Sequence, residues 1–337
     1  MTRKRDVWFI LPDGIDDPQR VSGGNIYDRQ LRQGLAGRGW TLRMAPVADT
    51  AAAAEALARV ASDGIVLIDG LVAGWAPDAV EAAAARIPVV VIAHMIRSSF
   101  SGALDDHVTS ETRALRAASK VIATSEWTAG ELVRMGLVDG ERIAVALPGA
   151  RETTRHDGAD HRSLLCVGAI TAHKGQDVLL AALGLLADQP WACTLVGSRA
   201  LDPDYAARIA AVASEFGDRI RMPGVLQGAA LDRAYRRAGL LLAPSRVESF
   251  GMAVADARSR GLPVVASAVG GIPEAIAGGG ALLVPPDDPR ALAEALNQWF
   301  TEPSLRSRLR QNAELGSVTV PRWADTVDRV DRVLEAI

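Results

Sequence analysis

The sequence predicts an α/β protein built from two doubly wound parallel-sheet domains. Three observations carry that prediction. Short, almost wholly apolar runs such as GIVLID (64–69) and PVVVIAH (88–94) alternate with longer Ala/Leu/Arg segments of helical spacing. Strands apolar on both sides belong to parallel sheets covered on both faces. The alternation stops at the polar stretch RETTRHDGADHR (151–162) and then restarts. Finally, a chain of 337 residues exceeds one ordinary domain of about 150 residues.

In order, the first half predicts strands at 7–11, 40–47, 64–69, 88–94, 120–125 and 142–147, with helices at 26–37, 51–61, 77–86, 106–118 and 127–135. After the linker come strands at 163–170, 191–197, 219–225, 238–245, 261–267 and 280–286, with helices at 175–187, 203–216, 229–237, 251–260, 273–277 and 289–300. Each half is Rossmann-like, and a cleft is expected between them. The expected domains are 1–150 and 163–302, followed by a helical tail at 303–337, broken at Pro321, that packs back across the hinge.

Composition narrows the function classes. A hydrophobic share of 49% with 23% charged residues describes an ordinary globular protein. The net charge of −3 and the 4% aromatic content give no electrostatic or stacking case for nucleic acid. The two cysteines, Cys166 and Cys193, lie in apolar runs, which excludes a disulfide scaffold and suits a reducing compartment. No apolar run reaches the roughly 20 residues needed to span a bilayer. VWFIL near the N-terminus is too short for a signal peptide and is flanked by Asp6 and Asp13. The expected location is cytoplasmic, with peripheral membrane association left open.

Three segments carry chemistry. In SGGNIYDRQL (22–31), Gly23 and Gly24 precede a helix whose free N–H groups suit an anion, though the G-x-G-x-x-G fingerprint is absent. In VGAITAHKGQDVLLAAL (167–183), a strand ends at Gly168 and Lys174 stands at the next helix start, a natural phosphate contact; the segment is not a P-loop. A solvated lysine is the plainer alternative. In APSRVESFGMAVADARSRGLPVVASAVGGIPEAI (243–276), Glu248 lies where a strand ends, Phe250-Gly251 introduce a helix, and Asp256 falls about two turns into it. Ligands of open α/β sheets bind at the carboxyl ends of strands. Helix capping for Glu248 and a surface charge for Asp256 are the competing readings.

Taken together, the Gly-Gly step, VG-x-I-x-x-x-KG, E-S-F-G-x-x-x-x-D and G-x-P-V-V-A-S-x-V-G-G-I-P-E resemble the GT4-type retaining glycosyltransferases of the GT-B fold. The likeness covers nearly the whole chain and is most specific over 224–276. It implies a nucleotide-diphosphate sugar on the C-terminal domain and an acceptor on the N-terminal domain. By this resemblance Glu248 bonds donor-sugar hydroxyls, Asp256 binds ribose and Lys174 binds the diphosphate. Backbone groups of Ser249, Phe250, Gly251 and Met252 meet sugar and diphosphate, Val225 and Leu226 flank the base, and His94 stands near the reacting sugar carbon. Gly23, Gly24 and Gly168 complete the donor surface. Two departures stand out. Asp256 replaces the family's usual Glu, and Ala169 stands where many members carry an Arg, with Arg246, His173 and Arg97 as candidates to compensate.

The resulting expectation is a metal-independent retaining glycosyltransferase with no cofactor, moving a sugar from a UDP- or GDP-sugar to a small-molecule, saccharide or lipid-linked acceptor. Tyr27, Arg97, Phe100 and Trp127 are the candidate acceptor contacts. Asp16-Asp17, Asp105-Asp106, His156 and His161 read as loop, helix-start or linker residues and not as metal ligands. The alternatives are a non-catalytic partner of the same fold and an epimerase- or phosphorylase-like enzyme.

Overall fold

The computed structural model describes residues 6–97, 105–150 and 160–337. The chain divides into two compact units, one of Met1–Asp17, Gly23–Gly149 and Trp323–Ile337, the other of Pro18–Ser22 and Ala150–Arg322.

The first unit holds strands β1 (Asp6–Pro12), β2 (Thr41–Val47), β3 (Ile65–Asp69), β4 (Val89–Ala93), β5 (Lys120–Ala123) and β6 (Ile143–Val145). They form one parallel sheet in the order β2-β1-β3-β4-β5-β6. All five residues of β3, and all five of β4, are buried, as the uninterrupted apolar runs require. Helices α1 (Gly23–Gly37), α2 (Thr50–Ala58), α3 (Gly70–Trp75), α4 (Pro77–Ala84), α5 (Asp105–Ala117) and α6 (Glu126–Arg134) connect the strands. Local chemistry sets several starts. The Asp49 side chain accepts from Ala52 N–H, Asp69 from Leu71 N–H and Ser125 from Thr128 N–H, while Pro77 occupies the first turn of α4.

The second unit repeats the scheme with β7 (Ser163–Val167), β8 (Ala192–Val196), β9 (Ile220–Gly224), β10 (Leu240–Ala243), β11 (Val264–Ser267) and β12 (Ala281–Val284). Their order is β12-β11-β10-β7-β8-β9, again parallel. Its helices are α7 (Gln176–Gly184), α8 (Pro203–Ser214), α9 (Gly228–Arg237), α10 (Met252–Ser259), α11 (Ile272–Ala275), α12 (Pro289–Thr301) and α13 (Pro303–Gly316). Leu179, Leu183, Leu240, Leu296 and Trp299 lie at its centre. Cys166 and Cys193 are buried on neighbouring strands and unbonded.

All twelve strands were legible as apolar runs, but the ends of the domains were not. α13 packs on α10 and α12, so the second unit runs to Arg322 and not to residue 302. The last helix, α14 (Trp323–Glu335), belongs to the first unit. There Thr326 donates to the Leu147 carbonyl at 2.6 Å, Trp40 Nε1 donates to Asp331 at 2.6 Å, and Arg38 pairs with Asp328. Val330 and Leu334 of α14 are fully buried, each contributing about 1.5–3 kcal/mol. Among the described residues no helix is long and apolar enough to cross a membrane.

In each sheet the chain starts inside, runs to one edge, then returns to build the other side. The reversal falls between β1 and β3 in one sheet and between β7 and β10 in the other. Ligands of open α/β sheets bind beyond the carboxyl ends of strands at such points.

Candidate functional site

The reversal in the second unit brings two of the predicted residues into contact. β7 runs into the turn that carries Gly168, and a single helical turn, Ala172–Lys174, then presents Lys174. β10 ends at Ala243 and its loop carries Glu248. The Lys174 ammonium meets Glu248 Oε2 at 2.5 Å, and the two side chains are 24% and 17% exposed. Ser245 Oγ lies 3.5 Å from the same oxygen. The aliphatic part of Lys174 runs beside Gly168, whose added Cβ would lie 3.6 Å from Lys174 Cδ.

Glycines build this surface by allowing close backbone approach. Gly175 has φ +68°, and a Cβ there would lie 2.0 Å from the Pro244 carbonyl oxygen. Gly270 has φ +54°, and a Cβ would lie 1.7 Å from the Glu248 carbonyl oxygen. The Glu248 loop is thus seated directly on the loop after β11. Ser249 and Phe250 are buried beneath it. Gly251 opens α10 without any side-chain cap, which leaves the first N–H groups of that helix to an external acceptor. Met252 starts the helix half-buried. Asp256 is 28% exposed, with its carboxylate 3.9 Å from Arg260. Val225 and Leu226 lie half-buried between β9 and α9.

The candidate compensators for Ala169 behave differently from the expectation. Arg246 is held by Asp177 in a two-pronged contact at 2.8 and 2.9 Å and by Asp287 at 2.6 Å. Its charge is answered by these two carboxylates in partly exposed pairs that brace one loop against another. His173 is pulled down to about 4 by burial and by the Lys174 ammonium beside it, which leaves it neutral at pH 7. Arg97 lies in the other unit, its guanidinium 3.2 Å from His107 Nδ1.

In the first unit, His94 follows β4 and carries the other predicted catalytic position. Its Nε2 lies 2.9 Å from Asp28 Oδ1 on α1 and 3.6 Å from Asp69 Oδ2 at the end of β3. The Tyr27 ring meets the imidazole edge-on at 5.2 Å. Gly24 lies against the same ring, a Cβ there reaching 3.2 Å from His94 Cδ2; Gly23 is exposed at the helix start. Two carboxylates face one imidazole. Burial opposes the imidazolium, but Asp28 and Asp69 overcome it and raise His94 to about 9. Burial and the Asp28 charge push Asp69 upward, against the pull of His94. The facing polar atoms of Asp28, Asp69 and His94 lie within 4.8 Å of one another, and the 2.9 Å separation of His94 and Asp28 is that of an N–H···O hydrogen bond.

Tyr27 was expected to touch an acceptor. It is buried, and its hydroxyl donates to the Ala146 carbonyl at 2.9 Å, so it supports the His94 ring instead. Trp127 sits half-buried in the first turn of α6, and Phe100 lies outside the described residues. Asp28 and Asp69 escaped the sequence reading. The available signals were an acid on the buried face of α1, beside Tyr27 and Leu31, and an acid closing a wholly apolar strand.

Two parallel α/β units, with charged groups gathered at both chain reversals, have the architecture of a two-domain GT-B glycosyltransferase. The comparisons agree. The chain has the GT-B architecture of sucrose-phosphate synthase from Thermosynechococcus elongatus, with a TM-score of 0.84, 22% identity and 99% of each chain covered. Anabaena HepE, solved with UDP-glucose, superposes with a TM-score of 0.77 at 18% identity, covering 98% of this chain and 100% of that one. By sequence, the model for glycosyl transferases group 1 matches residues 154–315. D-inositol 3-phosphate glycosyltransferase of Frankia alni is 30% identical over 292 residues, covering 77% of this chain and 71% of the relative. The same-named protein of Streptomyces scabiei is 31% identical over 256 residues, 66% of this chain, and the chain spans 57% of its length. The protein belongs to the glycosyl transferases group 1, the GT4-type family of the GT-B fold.

Proposed function

We propose that the protein moves a sugar from a nucleotide-diphosphate donor to a small-molecule or saccharide acceptor, with retention of anomeric configuration and without a metal ion. The observation that carries this reading is the Lys174–Glu248 pair at the chain reversal of the second sheet, beside the uncapped start of α10. A lysine, a carboxylate and free helix N–H groups suit a sugar diphosphate: cations and N–H groups for phosphate oxygens, a carboxylate for sugar hydroxyls. Lys174 and the α10 N–H groups would stabilise the departing diphosphate, and Glu248 would orient the sugar. Asp256 would take the ribose hydroxyls, with Val225 and Leu226 against the base. The UDP-glucose complex of HepE makes a UDP-sugar the first donor to test.

Ala169 and the internal engagement of Arg246 also support a second reading, a non-catalytic partner with a weakened phosphate clamp. A panel of UDP-, GDP- and dTDP-sugars separates the two. Transfer predicts nucleotide release that survives EDTA, a product with the donor's anomeric configuration by NMR, and a rise in Tm with the matching nucleotide. At a hundredfold excess over Kd, ligand linkage is worth about 2.7 kcal/mol. No release and no thermal shift with any nucleotide would favour the partner reading. A cytoplasmic location with loose membrane association belongs to the same proposal and is checked by fractionation.

A further inference from the structure

Nothing in the transfer reading accounts for two buried carboxylates on one histidine. Asp28 is fully buried and Asp69 nearly so, and both face His94 Nε2. They come from separate elements, α1 and the end of β3. Burying an acid costs several kcal/mol unless it is paired, so two of them on one ring need a reason. Asp69 spends its other oxygen on Leu71 N–H at 2.6 Å, while Asp28 Oδ2 is buried with no hydrogen-bond partner. The arrangement is asymmetric: Asp28 makes the hydrogen bond, and Asp69, whose carboxyl is raised by burial to about 7, adds a weaker charge from 3.6 Å.

We propose that Asp28 and Asp69 are positioning residues that anchor His94 through Nε2 and keep its ring cationic, leaving Nδ1–H as a fixed charged donor for an oxygen of a substrate bound at the first unit. The inference rests on the transfer reading for its substrate, but not for the state of the ring. A neutral imidazole has one N–H, and hydrogen-bonding it to Asp28 would leave Nδ1 an acceptor; an imidazolium donates from both nitrogens. Tyr27, edge-on to the ring, and Gly24, against its Cδ2 edge, restrict its rotation. The titratable groups facing the ring are Asp28 from α1 and Asp69 from β3, and they raise its pKa to about 9 against the effect of burial.

The test combines imidazole NMR with kinetics on the full chain. The five histidines are resolved by assigning His94 with His94→Gln. Wild-type His94 is expected to titrate well above pH 7, and kcat to fall along the same alkaline limb. Asp28→Asn keeps the size of the side chain and removes its charge. It should lower the His94 midpoint by about one pH unit or more, as expected on removing an adjacent opposite charge. The alkaline limb of kcat should move with it, with KM little changed. Asp69→Asn retains an acceptor for Leu71 N–H, so the start of α3 survives, and it should shift both in the same direction by less. A purely structural role would lower Tm without moving either midpoint. A wild-type His94 that titrates at or below the ordinary value, or midpoints unmoved by both substitutions, would overturn the proposal. So would a ring signal that changes only on adding Zn²⁺. Should Asp28→Asn not fold, the wild-type titration and Asp69→Asn decide. The NMR arm needs no turnover, so failure of the transfer reading in the donor panel is seen separately.

Discussion

The two charged clusters, one in each unit, use the same topology for opposite ends. Each lies where the chain reverses within its sheet and draws residues from strand ends and helix starts. In the first unit, His94 is 14% exposed and its partner Asp28 is fully enclosed, so the charges are committed to one another. In the second, Lys174 and Glu248 are 24% and 17% exposed, shallow enough for a ligand to part them. A buried pair strongly resists the removal of one member, whereas a pair open to solvent on one side exchanges partners at lower cost. The comparison suggests a fixed electrostatic element in one unit and a ligand-exchangeable clamp in the other.

Removing one member of the exchangeable pair should have the largest effect. Glu248→Gln keeps the shape and loses the charge, and is expected to lower kcat/KM by about 10²–10³-fold, the scale of deleting one preorganised polar contact. Full activity in that variant, measured by nucleotide release, would remove Glu248 from the sugar site. Lys174→Met should instead act on phosphate. Calorimetry should show nucleoside diphosphate binding weakened by about 10- to 100-fold, the range of a charge-assisted bond, with the free nucleoside nearly unaffected.

The sequence made the second cluster readable and hid the first. Lys174, Glu248 and the glycines around them sit in short segments whose local pattern announces strand ends and helix starts. Asp28, Asp69 and His94 are spread over 66 positions and meet only because β3 and β4 are neighbours and α1 packs nearby. No local periodicity encodes such a meeting. Likewise Arg246 looked available until Asp177 and Asp287, 69 and 41 positions away, were brought to it. GLVAGW (Gly70–Trp75) was missed as α3 because it has no polar face; its start is set by the Asp69 side chain. The central strands needed no tertiary information, since β3 and β4 are buried along their whole length and apolar almost throughout.

Next in size is a change to the frame of the clamp. Gly270→Ala would place a methyl group 1.7 Å from the Glu248 carbonyl oxygen at φ +54°, forcing the two loops apart. A loss of about 2 kcal/mol or more in urea unfolding is expected from strained φ alone, together with weaker donor binding. Unchanged stability would mean that the loops part freely and do not fix Glu248. On the committed side, pH gives the corresponding test. His94 is raised above its ordinary 6.5 to about 9, so its contribution to stability is fully present below pH 6.5 and is lost as pH rises through about 9. Urea unfolding from pH 6 to 10 should show that decline in the wild type and a flatter profile in His94→Gln.

The smallest expected effect is a gain, and it probes what the clamp lacks. Ala169 follows Gly168 at the end of β7, and its carbonyl accepts from Gln176 Nε2 at 2.8 Å, which fixes the backbone at that point. Arg246 is already engaged by Asp177 and Asp287, and His173 is neutral at pH 7. An arginine introduced at 169 would start one residue beyond Gly168, which the Lys174 side chain runs beside, and is placed to compete for the same phosphate. Ala169→Arg is therefore expected to tighten nucleoside diphosphate binding by up to about tenfold, equivalent to about 1.4 kcal/mol, while leaving nucleoside affinity unchanged. The gain should shrink as salt is raised, because the added charge stands in partly exposed surroundings. Equal gains for nucleoside and diphosphate would show that the new side chain packs on the base or ribose and would move the phosphate site away from Lys174. No gain at either ligand would mean that Lys174 and the start of α10 already meet every phosphate oxygen within reach, so that the alanine marks a complete clamp of a different design.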